Sequence, residues 1–305
     1  MKVNQNNSQD SEDIYNIDSL ILSIPCPETL MKEFGCMPLN VTCDNRDGFT
    51  LCCVHKEGGK EKPDLFYLMI SYYNGELFGM IRFDRKNEMA TLEVNKDVFY
   101  ENLTICHDKK INMLPLVEYI LSNLGFDLAK ITIQRLTIVR DSKDNVLKRL
   151  SGLNSSPNYD LYLNDTIQEE PIELIEKTYI RDESMINCKF SRLSKQNVFY
   201  IFNITGTLEM ASYEKSKEIH NVSRCYKIFE YNGYTEDQKF YRTEVTMRDE
   251  CFLKEFFTTY DEKGFHGFFS LTELFSPDRI KELFNFISPK LIRFQHKESN
   301  ETLCI

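Results

Sequence analysis

The sequence predicts an α+β fold in which antiparallel sheets are covered by helices. Short β-rich runs separated by Gly, Asn and Asp turns fill the first hundred residues, as in antiparallel hairpins. Apolar residues repeat at helical spacing once in each half of the chain. Each half therefore offers strands and a covering helix, which predicts two similar sheet-plus-helix halves.

Composition limits the class of protein. With 305 residues, of which 42% are hydrophobic, the chain can form one or two domains. It contains no run of about 18 apolar residues, so no membrane span is expected. The ten cysteines include no C-x-x-C pair, which favours reduced thiols over a zinc site. A net charge of −10 argues against non-specific coating of nucleic acid but leaves room for a local basic groove.

The first half begins after a polar leader, residues 1–16, that we expect to be disordered. Within an N-terminal α+β half, residues 17–150, strands are predicted at 19–24, 49–55, 65–71, 76–83, 89–94 and 130–139. Asn74-Gly75 supplies the clearest hairpin turn. A helix over residues 113–124 has Asn112 as its cap and Gly125 at its end.

The second half follows a polar segment, residues 151–171, which is predicted to be a linker or an exposed loop. Within residues 172–305, strands are predicted at 198–204, 207–213, 240–247 and 291–294. The last helix begins with Ser276 as its cap and Pro277 in its first turn, and Ser288-Pro289 is expected to end it.

Strand alternation groups polar residues onto shared faces. Successive side chains of a strand point to opposite faces, so the following groups each share one face: Arg242, Glu244, Thr246 and Arg248; Glu209, Tyr213 and Lys215; Arg135, Thr137 and Asp141. A face with one carboxylate between two arginines is either a solvated surface or an active one.

Three segments in a fixed order resemble a known family. They are residues 135–141 (RLTIVRD), 213–219 (YEKSKEI) and 241–245 (YRTEV), preceded by a helix and followed by a C-terminal helix and strand. This order, over residues 111–294, resembles the trans-acting Rep family of replication initiators of rolling-circle plasmids and phage-like elements. Each motif is short, and their joint order carries the resemblance.

The resemblance implies an endonuclease that nicks one strand at a replication origin. Its nucleophile would be Tyr200 or Tyr213, with Lys215 on the phosphate and Mg²⁺ or Mn²⁺ held by Asp141 and Glu244. Phosphodiester cleavage places charge on phosphate oxygens, which a hard cation stabilises. A phenol of pKa about 10 needs such help to become a nucleophile.

The resemblance also implies partners. We expect three arginines to contact DNA, namely Arg135, Arg242 and Arg248. The expected partners are origin DNA, a host helicase or polymerase, and a second copy in a homodimer, in the cytoplasm of a bacterium.

Departures from the family pattern keep other functions open. Thr137 stands where the family often has Asp, and Thr246 stands where a second carboxylate can follow. A Gly-Ser-Arg-like run is replaced at residues 202–206. The alternative is therefore a sequence-specific DNA-binding or regulatory protein on a non-cleaving version of the scaffold. A third hypothesis, based on the acidic charge, is a structural or interaction protein of a mobile element.

Overall fold

A computed structural model describes residues 13–35, 43–46, 49–54, 65–72, 76–84, 86–100, 114–168, 188–193, 196–203, 205–274 and 276–303. Most of the predicted leader, the Asn74-Gly75 turn and Asn112 lie outside the described residues.

Fifteen strands occur in this part of the chain. They are β1 (Ile14–Pro25), β2 (Cys43–Arg46), β3 (Phe49–Val54), β4 (Leu65–Tyr72), β5 (Glu76–Asp84), β6 (Met89–Val94), β7 (Thr132–Ser142), β8 (Tyr159–Leu163), β9 (Thr166–Gln168), β10 (Cys188–Leu193), β11 (Gln196–Phe202), β12 (Leu208–Glu214), β13 (Tyr241–Met247), β14 (Ile292–His296) and β15 (Thr302–Leu303). Eleven of them form one large sheet in the order β10-β11-β12-β13-β7-β1-β6-β5-β4-β3-β2. The other four form a small sheet, β15-β14-β8-β9.

Helices connect and cover the sheets. The α-helices of the described residues are α1 (Glu28–Gly35), α2 (Leu114–Asn123), α3 (Val146–Asn154), α4 (Lys215–Glu218), α5 (Lys227–Tyr231), α6 (Cys251–Tyr260), α7 (Phe268–Leu274) and α8 (Pro277–Leu291). Two 3-10 helices, Lys96–Tyr100 and Leu128–Lys130, and one π-helix, Ile219–Ser223, accompany them. None of these helices has the length and apolarity that a bilayer crossing requires.

The predicted α+β class is confirmed, because every strand pairing in the large sheet is antiparallel. The sheet draws strands from both predicted halves of the chain, since β1 and β7 lie between β13 and β6. The division into two halves stays a prediction.

Helix α8 covers one face of the large sheet with its apolar stripe. Leu283, Phe284 and Ile287 are fully buried, and the Phe284 ring lies 5.6 Å from that of Tyr15 on β1. Burying each such side chain contributes about 1.5–3 kcal/mol. This face is therefore the main hydrophobic core of the molecule.

The sequence predicts where α8 begins and ends, and the structure agrees at the beginning but not at the end. Ser276 caps the helix, since its hydroxyl accepts a hydrogen bond from the Arg279 N–H at 3.2 Å, as predicted. Its end differs from the prediction, because the helix continues through Pro289 to Leu291. Proline removes one N–H bond to the residue four positions earlier, and that residue, Asn285, is exposed, so water can satisfy its carbonyl.

Two segments are more regular than the sequence suggests. Strand β1 begins at Ile14, inside the predicted leader, because it pairs with β7 over nearly its whole length. The predicted linker at residues 151–171 contains the end of α3 and all of β8 and β9 in its described part. There the polar residues are the exposed side of regular structure, with Leu161 and Leu163 buried.

Candidate functional site

A row of directly paired residues crosses neighbouring strands of the large sheet. It joins Tyr200 on β11, Ala211 on β12, Glu244 on β13 and Val139 on β7. Residues directly opposite each other in antiparallel strands carry their side chains on the same face. Tyr200 and Glu244 therefore share one face, which we call the site face.

The site face carries the groups of polar residues that strand alternation predicts to share a face. Paired positions place the following residues on it: Arg135, Thr137 and Asp141 of β7, Glu209 and Tyr213 of β12, and Arg242, Glu244 and Thr246 of β13. The opposite face carries the core under α8, so chemistry with a large ligand belongs to the site face.

The site face has a closed end and an open end. At the closed end, Asn232 after α5 and Tyr100 of the first 3-10 helix reach over Arg242 and Asp141. At the open end, the side chain of Arg248 is 45% exposed. The row of Tyr200 and Glu244 lies between the two ends.

A buried tyrosine and lysine hold the carboxylate of Glu244. The Tyr213 hydroxyl donates a hydrogen bond to Glu244 Oε1 and accepts one from Lys215 Nζ at 3.3 Å. Lys215 Nζ also lies 2.8 Å from Glu218 Oε2, one turn along α4. Tyr213 is 9% exposed and Lys215 only 3%, so both side chains are enclosed by protein.

Arg242 is the centre of a second set of bonds at the closed end. It is fully buried and donates Nε to Asp141 Oδ1 at 2.7 Å and Nη2 to Asp141 Oδ2 at 2.6 Å. Its Nη1 donates to Asp18 Oδ1 at 2.7 Å. Asn232 donates to Asp141 at 2.8 Å, and Tyr100 donates to Asp18 at 2.6 Å. A guanidinium between two carboxylates is thereby fixed without solvent.

A β-bulge brings Asp18 to this cluster. The register of β1 against β7 shifts between Ile17 and Ser19, which leaves Asp18 as an extra residue. A bulge turns the side chain of the extra residue away from strict alternation. Asp18 can then reach Arg242 on the site face, while Ile17 stays in the core.

The cluster shifts the protonation of its acids and phenols. Burial, with the charge on Glu244 added, holds the pKa of Tyr213 well above its usual value. Burial also raises the pKa of Glu244, and Asp18 adds to the effect while Lys215 and Arg242 oppose it. Burial acts in the same direction on Asp18, but the cations Arg242 and Lys215 outweigh it and lower the pKa of that carboxyl.

Tyr200 differs from Tyr213 in its exposure. Its side chain is half-buried, and its ring stacks parallel to that of Phe202 with 6.4 Å between centroids. Two strand spacings, about 10 Å, separate the backbones of Tyr200 and Glu244. The residue between them is Ala211, which is half-buried and has only a methyl group.

The two carboxylates expected to hold a metal ion, Asp141 and Glu244, already have protein partners in this structure. Both oxygens of Asp141 are bound by Arg242, so this carboxylate is already neutralised. Thr137 and Thr246, at the positions where carboxylates were considered, pair with each other at 2.8 Å and are buried. No group of three or more His, Cys, Asp or Glu in the described part of the chain is arranged to hold a metal ion. Mg²⁺ and Ca²⁺ need several oxygen ligands, so a divalent cation held by Asp141 and Glu244 stays a prediction.

The three arginines expected to contact DNA are placed differently. Arg242 is fully buried and paired with Asp141, so its contact with DNA stays a prediction that the position does not support. Arg135 and Arg248 lie at the open end, next to each other across β7 and β13, because Leu136 pairs with Met247.

Three members of the cluster were not found from the sequence, namely Asp18, Tyr100 and Asn232. They come from β1, a 3-10 helix and the turn after α5. A lone acid in an apolar strand such as β1 was the one available signal, because a buried charge needs a partner.

The fold and site thus define an antiparallel α+β protein with a polar, partly open sheet face. A scan against models of known protein families finds no match, and neither does a search of curated proteins. Among solved structures, the chain is similar to a rolling circle replication initiator protein from Geobacillus stearothermophilus. The TM-score is 0.46 and the identity 13%, over 95% of this chain and 89% of that chain. A likeness this low carries no functional argument, so function has to be argued from the residues of this chain.

Proposed function

We propose that the protein is a replication initiator that binds origin DNA and cleaves one strand with Tyr200 as the nucleophile. The observation that carries the proposal is the row of Tyr200, Ala211 and Glu244, on a sheet face with one open end. The ordered sequence motifs, which supply the class of reaction, converge on this same face.

The choice of Tyr200 follows from exposure. Tyr213 is 9% exposed and already bonded to Glu244 and Lys215, and its pKa is held well above the usual value by burial. A buried phenol of this kind neither reaches a DNA phosphate nor ionises readily. Tyr200 is half-buried and lies opposite Ala211 on the same face as Glu244.

In the proposed reaction the Tyr200 oxygen bonds to the phosphorus and the bond from phosphorus to the 3′-oxygen breaks. The phenol proton leaves, with Glu244 as the carboxylate of the row that can accept it, and the departing 3′-oxygen takes up a proton. The products are a 5′-phosphotyrosine and a free 3′-hydroxyl, from which a polymerase can extend.

Residues buried around Glu244 would serve as supports rather than as DNA contacts. Tyr213 and Lys215 orient the carboxylate, and Arg242 fixes the neighbouring strand through Asp141. Oriented groups contribute to rate because they need no reorganisation during the reaction. The use of Mg²⁺ or Mn²⁺, a host helicase or polymerase, and a homodimer stay predictions.

Covalent-adduct formation tests the proposal. The full chain is incubated with a single-stranded origin oligonucleotide in Mn²⁺, in Mg²⁺ and in a chelator, and adducts are resolved on a denaturing gel. Tyr200→Phe should lose the adduct, whereas Tyr213→Phe should keep it at a reduced rate. Tyr260→Phe, at an exposed position on α6, is the matched control. An adduct that survives in Tyr200→Phe but is lost in Tyr213→Phe would reject the assignment.

A second candidate function is origin binding without cleavage. The paired hydroxyls of Thr137 and Thr246 and the neutralised Asp141 favour it, because they leave one carboxylate on the row. This candidate predicts binding to an origin hairpin that weakens steeply with salt. It also predicts no adduct in any metal, so that detection of nicking would exclude it.

A further inference from the structure

We propose that Arg135 and Arg248 form a clamp for a backbone phosphate of single-stranded nucleic acid at the open end of the site face. The inference rests on the proposed function, since it names how the same face holds a strand. It concerns binding alone, and therefore it can fail or succeed separately from cleavage.

The two arginines lie side by side across neighbouring strands. Leu136 pairs with Met247. Arg135, which precedes Leu136, therefore lies opposite Arg248, which follows Met247. The Arg248 backbone N–H donates to the Thr207 carbonyl at 2.8 Å, which extends the sheet by one residue. Both side chains belong to the site face, because Arg135 alternates with Thr137 and Arg248 reaches Glu209.

One donor of Arg135 has no acceptor among the residues that the structure describes. Its Nε is buried and has no hydrogen-bond partner, and none of the ion pairs between described residues includes it. An arginine carries five N–H donors in a planar fork that matches two oxygens of a phosphate. Because Nε is enclosed by protein, a phosphate would be bound by the outer N–H groups of this half-buried guanidinium.

Arg248 is held in a way that an anion could displace. Its Nη2 lies 2.7 Å from Glu209 Oε1, with side chains 45% and 21% exposed. Exposed pairs of this kind contribute about 0–1 kcal/mol. A phosphate bound by both arginines would replace Glu209 as the partner of one Arg248 N–H, and the free energy lost with that ion pair is small.

The spacing connects the clamp to the proposed reaction. Arg248 is four residues beyond Glu244 along the strand direction, which corresponds to about 14 Å at 3.4 Å per residue. One phosphate cannot contact both places, so the clamp binds a neighbouring phosphate of the same strand. A nucleic-acid strand lying along β13 from the open end would then bring its next phosphates to the row of Tyr200, Ala211 and Glu244.

Salt-dependent binding of a fluorescein-labelled 20-nucleotide single strand of mixed sequence tests the clamp, without knowledge of the origin. Arg135→Gln and Arg248→Gln should each weaken binding about tenfold, the size of a charged hydrogen bond. Each should also lower the slope of log Kd against log salt by about 0.7, the value for one lost phosphate contact on a single strand. Arg135→Lys should recover most of the slope, because it keeps the charge.

Two further variants sharpen the test. Arg279→Gln, on α8 behind the opposite face, is the control and should leave both affinity and slope unchanged. Glu209→Gln should strengthen binding severalfold, since it removes the carboxylate that competes for Arg248. Circular dichroism checks that each variant is folded.

The clamp is overturned if Arg135→Gln and Arg248→Gln, both folded, bind with the affinity and slope of the parent protein. Loss of binding in Arg279→Gln to the same extent would overturn it too, because the effect would then be one of net charge. Failure of the proposed cleavage looks different: no adduct forms at Tyr200 while the arginine-dependent slope remains.

Discussion

Replacing Arg242 by Met is expected to destabilise the protein more than any exposed charge change on the same face. The guanidinium is fully buried and makes three hydrogen bonds, two to Asp141 and one to Asp18. The substitution keeps an unbranched side chain but leaves both carboxylates without their cation. Breaking a buried pair in this way costs about 3–5 kcal/mol.

The loss can be measured by urea unfolding at pH 7. With an m value of about 3 kcal/mol/M, the midpoint should fall by about 1–1.7 M. The chain has no Trp, so circular dichroism or the 16 tyrosines provide the signal. Arg248→Met, which breaks an exposed pair on the same face, should cost less than about 1 kcal/mol.

A double variant tests the physical cause. Arg242→Met with Asp141→Asn removes the cation and one of the two carboxylates left without it, so it should be more stable than Arg242→Met alone. A cost below about 1 kcal/mol for the single change, or losses that simply add in the double variant, would refute the view that this is a buried, coupled ion pair.

Other perturbations separate the remaining contributions to the fold. Glu244→Gln should gain stability relative to the parent as pH rises from 4 to 7.5. Burial raises the pKa of Glu244 in the folded state, so the parent loses stability as pH rises from the ordinary pKa through the raised one, whereas Gln does not titrate. Urea midpoints of the two proteins that change with pH in parallel would contradict this. Thr137→Val should cost about 1–3 kcal/mol, since the Thr246 hydroxyl loses its partner, and adding Thr246→Val should restore most of it in thermal unfolding. Gly79→Ala should cost about 1–3 kcal/mol, because its Cβ would lie 2.6 Å from the carbonyl oxygen of Glu93 on the neighbouring strand; a melting temperature equal to that of the parent would show that β6 moves freely.

The strands and the last helix were predictable because local pattern and tertiary role agree there. Predicted strands such as 89–94 match the observed bounds of β6, since alternation and turn residues act over a few positions. Gly125 ends α2 with a φ of 78°, as its position after an apolar stripe predicts. The continuation of α8 past Pro289 was not predictable, because it depends on which side of the helix is solvated.

The site was predictable only as far as strand alternation reaches. Register puts Glu244 on the same face as Tyr200 and Tyr213, the arrangement on which the proposed chemistry depends. Alternation does not tell whether a polar side chain meets solvent or a partner. For this reason Arg242, expected at the DNA, lies instead in a buried cluster with Asp18, whose bulge has no sequence signal.

The bond between Asp18 and Arg242 joins residues 224 positions apart. During synthesis, Asp18 has no Arg242 to pair with until most of the chain has been made. A prematurely released fragment that ends before β13 would lack the strand that pairs with β7 and carries Glu244 and Arg242. The cluster, and with it the polar arrangement of the site face, therefore forms only in chains that have been synthesised through β13.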